Sequence, residues 1–148
     1  PVEKRAGFRW QHLLDAPVIA LPVADATAYL DRYAEPDKAR TGLGVSEEAW
    51  PVPYWTIDTA MSVMTLLLGA EDVGLGALFF GVFNNEAAIR TELGIPEHLE
   101  LLGAIALGYP LHDAGDEAHD GVGRSAIRQR RSPAEIIHRN GWTDASLH

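Results

Sequence analysis

Four arginines lie within eight positions near the end of the 148-residue chain: Arg124, Arg128, Arg130 and Arg131. The chain as a whole is acidic, with 21 Asp and Glu against 12 Lys and Arg and a formal net charge of −9. The planar guanidinium group donates paired hydrogen bonds that fit phosphate oxygens. Two interpretations of this cluster stay open, a phosphate-binding patch and a solvated basic turn before a last short helix.

A second candidate feature is the glycine pair in Gly74-Leu75-Gly76, which follows a predicted helix and precedes a predicted strand. A dinucleotide fingerprint needs the opposite order, because the phosphate must meet a helix N-terminus. Neither a full G-x-G-x-x-G nor a P-loop occurs. These glycines therefore favour a helix end and a turn, and the alternative is close approach of the backbone to a ligand, which glycine allows.

The remaining candidates for chemistry are weaker. The chain has no Cys, which excludes disulfides, thiolate ligands and a Cys nucleophile. Two histidines and four carboxylates crowd into residues 111–123, but their spacing matches no compact metal motif. They are His112, Asp113, Asp116, Glu117, His119 and Asp120. We expect a solvated acidic loop and no metal, and we assign no catalytic side chain, because no Ser/His/Asp arrangement or G-x-S-x-G is present.

Composition and charge limit the class of protein. The length suits one globular domain, and 47% hydrophobic with 22% charged residues is ordinary globular usage. The acidic balance argues against nucleic-acid binding, which needs a basic face. The longest apolar stretch, residues 60–70, is too short to span a membrane, and no secretory signal precedes it. We predict one domain over residues 1–148, in the cytoplasm and without membrane contact.

Strands and helices alternate along the chain, which predicts a mixed α and β class. Short apolar runs predict three buried strands, at residues 17–23, 77–83 and 101–107. Helices are predicted at residues 26–33 with Asp25 as N-cap, at 55–72, from Asn84 or Asn85 to Leu93, and from Ser132-Pro133-Ala134-Glu135 onward. Residues 38–53 are predicted to form a long loop. With Trp50, Tyr54 and Trp55 this loop is either substrate-facing or, as we favour, packed on the surface.

The predicted helix at residues 55–72 is apolar on nearly all sides. One helical face is followed by Ile57, Ala60, Met61, Met64, Leu67 and Leu68, and much of the other face is made apolar by Val63, Leu66 and Ala70. Such a helix must be buried on most sides. From periodicity alone a plain core helix is favoured, with a subunit interface as the alternative.

Several short segments now fall into a recognisable order. They are Ala16-Pro17-Val18-Ile19, Asp72-Val73-Gly74-Leu75-Gly76-Ala77, Leu93-Gly94-Ile95-Pro96, Ala106-Leu107-Gly108-Tyr109-Pro110, Arg128-Gln129-Arg130-Arg131-Ser132-Pro133-Ala134-Glu135 and Asn140-Gly141-Trp142. Together the order and spacing resemble the flavin-dependent nitroreductase family over residues 16–142. The resemblance implies an α+β, three-layer fold with a mixed or antiparallel sheet flanked by helices, and a homodimer with FMN at its interface.

The resemblance also implies roles for particular residues. Leu75, Gly76 and Ala77 would lie against the isoalloxazine ring of FMN. Arg128 and Arg130 would bind its phosphate, with Arg131 as the alternative if the register differs by one residue. NAD(P)H would deliver hydride to the flavin, and a nitroaromatic or quinone-like acceptor would then be reduced, so the cofactor rather than a side chain carries the chemistry.

The chain departs from the family pattern at its start. The family's N-terminal Arg-Arg-Ser-type phosphate motif and its Asn-x-Gln-type segment have no counterpart, and residues 1–15 are too few to hold them. We therefore expect the N-terminal segment of the fold to be missing. The start at Pro1 is explained either by removal of an initiator Met or by an upstream segment. The leading interpretation is an FMN-dependent oxidoreductase, and the alternative is a non-catalytic flavin-binding or dimerisation module.

Overall fold

The computed structural model describes residues 11–110 and 128–142. The chain divides into two compact units, Pro1–Pro110 and Leu111–His148, and the described residues of each are considered by themselves. The predicted acidic loop at residues 111–123 and Arg124 lie outside the described residues. The single domain expected over residues 1–148 stays a prediction.

The first unit is built around a three-stranded antiparallel sheet. Its strands are β1 (Val18–Ala20), β3 (Gly76–Phe80) and β5 (Ala104–Gly108), and β5 lies between the other two. The register places Ile19 opposite Ala106 and Phe79 opposite Ile105. Two further strands, β2 (Val23–Asp25) and β4 (Leu99–Leu101), form a separate antiparallel pair. The α+β class is thus confirmed, and every strand pairing in the described residues is antiparallel.

All three predicted strands are too long, and two of them contain a break. Residues 17–23 form β1 and β2, separated by Leu21 and Pro22, and residues 101–107 form parts of β4 and β5, separated by Leu102 and Gly103. The two breaks meet, because the Leu102 N–H donates to the Pro22 carbonyl at 3.0 Å. Pro22 has no N–H to give to a ladder, so the chain changes sheets there. The described residues therefore hold five strands instead of three. The third prediction, residues 77–83, is shortened to β3.

The helices agree well with their sequence signals. Helix α1 (Ala26–Ala34) begins after Asp25, whose side chain accepts from the N–H of Thr27 at 2.9 Å and of Ala28 at 3.4 Å. This confirms the predicted N-cap. Helix α2 spans Tyr54–Asp72, α3 Glu86–Leu93 and α4 Pro133–Ile136. Asn85 precedes α3 as predicted, but it does so with a left-handed backbone (φ 64°) and no capping bond from its side chain.

The core of the first unit is small. Most of its buried apolar residues are alanines, and Ile105 on the central strand is the only large side chain that is fully buried among the described residues. The buried apolar residues are Ala24, Ala26, Trp55, Val63, Ala70, Ala104, Ile105 and Ala106. Only three of these belong to α2. The interpretation of α2 as a plain core helix is therefore wrong for this chain by itself: Met61 (62%), Met64 (56%) and Leu68 (64%) are largely exposed.

Residues 38–53 contain two short 3-10 helices, Ala39–Thr41 and Glu47–Ala49, rather than continuous loop. The half-buried Trp50 secures this segment. Its ring packs edge-on against Tyr29 and Tyr33, at centroid distances of 5.7 and 4.6 Å, and against Trp55 at 6.0 Å. Its indole N–H donates to the Leu43 carbonyl at 2.8 Å. For Trp50, surface packing is what the structure supports.

Across the described residues, no helix is both long enough and apolar enough to cross a membrane.

The break at Gly103 gives a stability prediction. A Cβ at this position would lie 2.6 Å from the Phe80 carbonyl oxygen, and its φ of +152° disfavours other residues. We expect Gly103→Ala to lower the free energy of unfolding by about 1–3 kcal/mol through overpacking. The measurement is urea unfolding.

The matched control is Gly69→Ala, in α2. A Cβ at Gly69 meets nothing within 4 Å. This variant should be neutral or gain up to about 1 kcal/mol from helix propensity. Equal effects of the two substitutions would contradict the steric account of Gly103.

Candidate functional site

The predicted Gly74-Leu75-Gly76 turn forms the junction between α2 and β3. Gly74 is left-handed (φ +77°), and its N–H donates to the Glu71 carbonyl at 3.0 Å. The Leu75 N–H donates to the Ala70 carbonyl at 2.8 Å, which closes the end of α2. Gly76 then begins β3. The helix end and turn are therefore confirmed as local structure.

The strand that begins at Gly76 is open along one side. Because β3 is an outer strand of its sheet, its backbone N–H and C=O groups on that side have no strand partner among residues 11–110. Gly76 is exposed, and a Cβ there would meet only the Gly108 carbonyl oxygen, at 3.5 Å. Leu75 and Ala77 are half-buried. A flat ligand with polar atoms along its rim can therefore approach the backbone at Gly76, and the residues present fit the polar edge of a flavin.

Arg128, Arg130 and Arg131 lie in the second unit, immediately before α4, and all three are exposed. Glu135 accepts from the backbone N–H and the hydroxyl of Ser132, at 2.6 and 2.7 Å. These hydrogen bonds, with a smaller contribution from Arg131, hold the pKa of Glu135 below its usual range. Among residues 128–142 no carboxylate pairs with Arg128 or Arg130. Their donors are therefore available to an anion.

A pocket between α1 and α2 was not anticipated. It has a volume of about 480 Å³ and is lined by parts of β1, β2, α1, α2 and β5. We call it the α1–α2 pocket. Its polar centre is a hydrogen bond from the Tyr29 hydroxyl to Oδ2 of Asp58. Tyr29 and Asp58 are 29 positions apart, and no local spacing in the sequence joins them.

The pair in the α1–α2 pocket alters the acidity of Tyr29. The hydrogen bond to Asp58 is the main cause, with burial and the negative charge of Asp58 adding to it, and together they raise the pKa of Tyr29 to about 12. Ionising the phenol would place two negative charges side by side and remove the donor. Tyr29 therefore stays protonated as a hydrogen-bond donor to Asp58 at neutral pH.

The fold and these sites can now be set beside known proteins. The sequence pattern of the nitroreductase family matches residues 2–109. The chain belongs to the nitroreductase family. The matched region includes the Gly76 turn and the α1–α2 pocket, whereas Arg128, Arg130 and Arg131 lie beyond it.

Two relatives show how this nitroreductase-family chain compares in length. A protein of Archaeoglobus fulgidus named "Putative NADH dehydrogenase/NAD(P)H nitroreductase" is 33% identical over 98 residues, which is 63% of this chain and 50% of that protein. The NADPH-flavin oxidoreductase of Vibrio harveyi is 29% identical over 92 residues, 62% of this chain and 34% of that protein. The chain thus spans half or less of the length of these relatives.

Solved structures of similar proteins include the NADPH:FMN oxidoreductase from Vibrio harveyi complexed with NAD+. It is 18% identical, with a TM-score of 0.46, covering 97% of this chain and 70% of the other. A further solved structure is that of a Parabacteroides distasonis protein named "Putative NADH dehydrogenase/NAD(P)H nitroreductase". That protein is 22% identical to this chain. Its TM-score is 0.45, with 95% of this chain and 84% of the other covered.

The Tyr29–Asp58 pair predicts a pH dependence. The pKa of Tyr29 is raised in the folded protein above its ordinary value near 10. The stability that the pair contributes is therefore fully present below about pH 10 and lost as pH rises through about 12. Urea unfolding is compared at about pH 9 and about pH 11. Between these two pH values we expect the free energy of unfolding to fall more for the unmodified chain than for Tyr29→Phe.

The control for this titration is Tyr109→Phe, which removes the hydroxyl of a tyrosine that is 83% exposed. It should lose stability between the two pH values as the unmodified chain does. If Tyr29→Phe shows the same loss as both, the pair does not stabilise the fold.

Proposed function

We propose that this chain is an FMN-dependent NAD(P)H oxidoreductase that reduces nitroaromatic or quinone-like acceptors. Membership of the nitroreductase family supports the reaction class. The observation that carries the proposal in this chain is the open edge of β3 at Gly76, where the outer strand has no further strand partner among residues 11–110 and a Cβ would meet only the Gly108 carbonyl oxygen, at 3.5 Å.

The Gly76 edge supplies contacts that suit a flavin ring. Backbone N–H groups on an outer strand can donate to ring nitrogens and carbonyl oxygens, and the C=O groups can accept from a ring N–H. Leu75 and Ala77 flank Gly76 and offer apolar contact to the ring. Gly76 itself allows the closest approach, because it has no Cβ.

Arg128 and Arg130 are the proposed ligands of the FMN phosphate, with Arg131 as the alternative. Both have exposed guanidinium groups without a carboxylate partner in the described part of the second unit. Paired N–H donors of Arg match phosphate oxygens, and these charge-assisted bonds are stronger than neutral ones.

FMN, when bound, supplies the two-electron chemistry that links NAD(P)H to the acceptor. The chain's own residues bind and orient. In the first unit we assign the backbone at Gly76 to the ring, and in the second unit we assign Arg128 and Arg130 to the phosphate. No side chain is assigned as a proton donor or as a nucleophile.

The exposed face of α2 supports a homodimer. Met61, Met64 and Leu68 lie on one side of the helix and are each more than half exposed. Monomeric soluble proteins rarely expose contiguous apolar patches of this kind. A second copy packed on this face would bury it on both chains. Such burial is what a helix that is apolar on nearly all sides requires.

Flavin binding is the first test. The purified 148-residue chain is incubated with FMN, desalted, and examined for a bound flavin spectrum that NADH or NADPH bleaches. We expect retention and bleaching. A colourless chain contradicts the enzyme proposal for this chain, and a chain that retains FMN without bleaching supports the non-catalytic flavin-binding alternative.

The phosphate assignment is tested with Arg128→Ala and Arg130→Ala. Losing one charge-assisted contact should weaken FMN binding by roughly 10–100-fold. Fluorescence quenching of FMN on binding gives the dissociation constant. Arg139→Ala is the control, because Arg139 is exposed in the same unit but lies outside the proposed cluster. If all three variants bind FMN with equal affinity, Arg128 and Arg130 do not bind the FMN phosphate.

The dimer proposal is tested by light scattering. The unmodified chain should give twice its 16.1 kDa monomer mass. Met64→Glu places a charge in the proposed interface and should yield monomers, because burying an unpaired carboxylate is costly. Val45→Glu is the control, since Val45 is 82% exposed and belongs to residues 38–53 rather than to α2. A stable monomer for the unmodified chain would refute the proposal.

A further inference from the structure

The α1–α2 pocket has the size and the walls of a small-molecule site. Its volume of about 480 Å³ lies within the usual range for ligand pockets of roughly 300–1,000 Å³. Apolar residues from three strands and from α2, including Val23, Val63 and Ile105, line most of it, together with Leu21 from the break between β1 and β2. The family's flavin chemistry, as proposed above at Gly76, makes no use of it.

The hydroxyl groups that line the pocket already donate their hydrogens in hydrogen bonds within the protein. Tyr29 donates to Asp58 Oδ2. Thr59 donates to the Trp55 carbonyl at 2.8 Å, and Ser62 donates to the Asp58 carbonyl at 2.9 Å. Each hydroxyl has one hydrogen to donate. The hydroxyl oxygens in the lining can therefore act toward a ligand only as acceptors.

The two carboxylates of the pocket have acceptor capacity to spare. Asp25 uses Oδ1 to cap α1, through the N–H groups of Thr27 and Ala28. Asp58 uses Oδ2 for Tyr29. No described residue donates to Oδ2 of Asp25 or to Oδ1 of Asp58. Among the described residues of the lining there is no Lys, Arg or His, so this part of the pocket holds two carboxyl groups and no cationic side chain.

Aromatic rings complete the environment. Trp55 is buried, and its ring lies edge-on to that of Tyr29, at a centroid distance of 6.2 Å. Aromatic faces attract cations at exposed as well as at desolvated sites, and Asp58 is an exposed residue. The pocket thus has aromatic and aliphatic walls and two carboxylates, and its side-chain hydroxyls and carboxylates can only accept hydrogen bonds. Such a pocket is complementary to a cation that carries an apolar body.

We propose that the α1–α2 pocket binds a small organic cation with an apolar body, such as a protonated arylalkylamine. Its ammonium group lies at the free oxygen of Asp58, and its hydrocarbon part packs against Trp55 and the aliphatic wall. The proposal stands on residues of the first unit alone and does not depend on flavin binding.

The pocket is compatible with the proposed dimer. At 3.6 residues per turn, Trp55, Thr59 and Ser62 fall on one side of α2, and Met64 and Leu68 fall on nearly the opposite side. A second copy on Met64 and Leu68 therefore leaves Trp55, Thr59 and Ser62 uncovered, whereas Asp58 lies next to Met61 at the border of the exposed face.

The test compares three probes of similar shape on the unmodified full chain, labelled with 15N. They are 2-phenylethylammonium, the neutral 2-phenylethanol and the anionic 3-phenylpropanoate. NMR titration follows the Trp55 indole and the backbone amides of the lining residues. We expect shifts at these positions, with the cation bound about 10–100-fold more tightly than the alcohol, and with no saturable binding of the anion.

Asp58→Asn keeps an acceptor for Tyr29 but removes the charge, so it should bring the affinity for the cation down to that for the alcohol. Asp31→Asn is the matched control, because it removes the same charge from α1 outside the pocket lining, and it should leave the preference intact. The proposal is overturned if the unmodified chain binds cation and alcohol equally, if it binds neither probe at these residues, or if the preference survives Asp58→Asn. The comparison of the three probes decides the matter even where a variant fails to fold.

Discussion

The first unit depends on a helix whose apolar surface exceeds what the described residues of that unit cover. Helix α2 buries only Trp55, Val63 and Ala70, while Met61, Met64 and Leu68 stay largely exposed. Burying a large apolar side chain contributes roughly 1.5–3 kcal/mol to the free energy of unfolding. The exposed side chains of α2 do not make this contribution. The small, alanine-rich core gives little compensation. The proposed association through α2 therefore concerns the stability of the fold as much as the building of a site.

The same helix connects the features that matter for function. Its first turns carry Asp58 and Thr59 into the α1–α2 pocket, its middle presents the exposed apolar face, and its end is closed by the turn that starts β3 at Gly76. A change in how α2 packs would shift the pocket and the open strand edge together. Trp50 contributes to this packing, because it holds residues 38–53 against the aromatic side chains of α1 and α2.

Structural features that depend on residues close in the sequence could be predicted, and features that depend on contacts between distant residues could not. Asp25 caps α1 as expected, since capping involves only the next three residues, and the periodicity over residues 55–72 defines α2. The break at Pro22 depends on its meeting with Leu102, about eighty positions away. Likewise, Tyr29 meets Asp58 only once α1 packs on α2. Pro22 is a local signal of a strand end, but nothing in the apolar run around it records which strand each half will pair with.

The two candidate sites differ in how visible they are in a sequence, and the reason is chemical. At Gly76 the useful groups belong to the backbone of an outer strand, so only a missing side chain marks the place. In the α1–α2 pocket the useful property is an imbalance: every hydroxyl donor is already used, whereas two carboxylate oxygens remain unused. Side-chain types alone cannot express that imbalance, since Tyr, Thr and Ser can each donate or accept. Which role remains for a ligand is decided by the hydrogen bonds that folding has already formed.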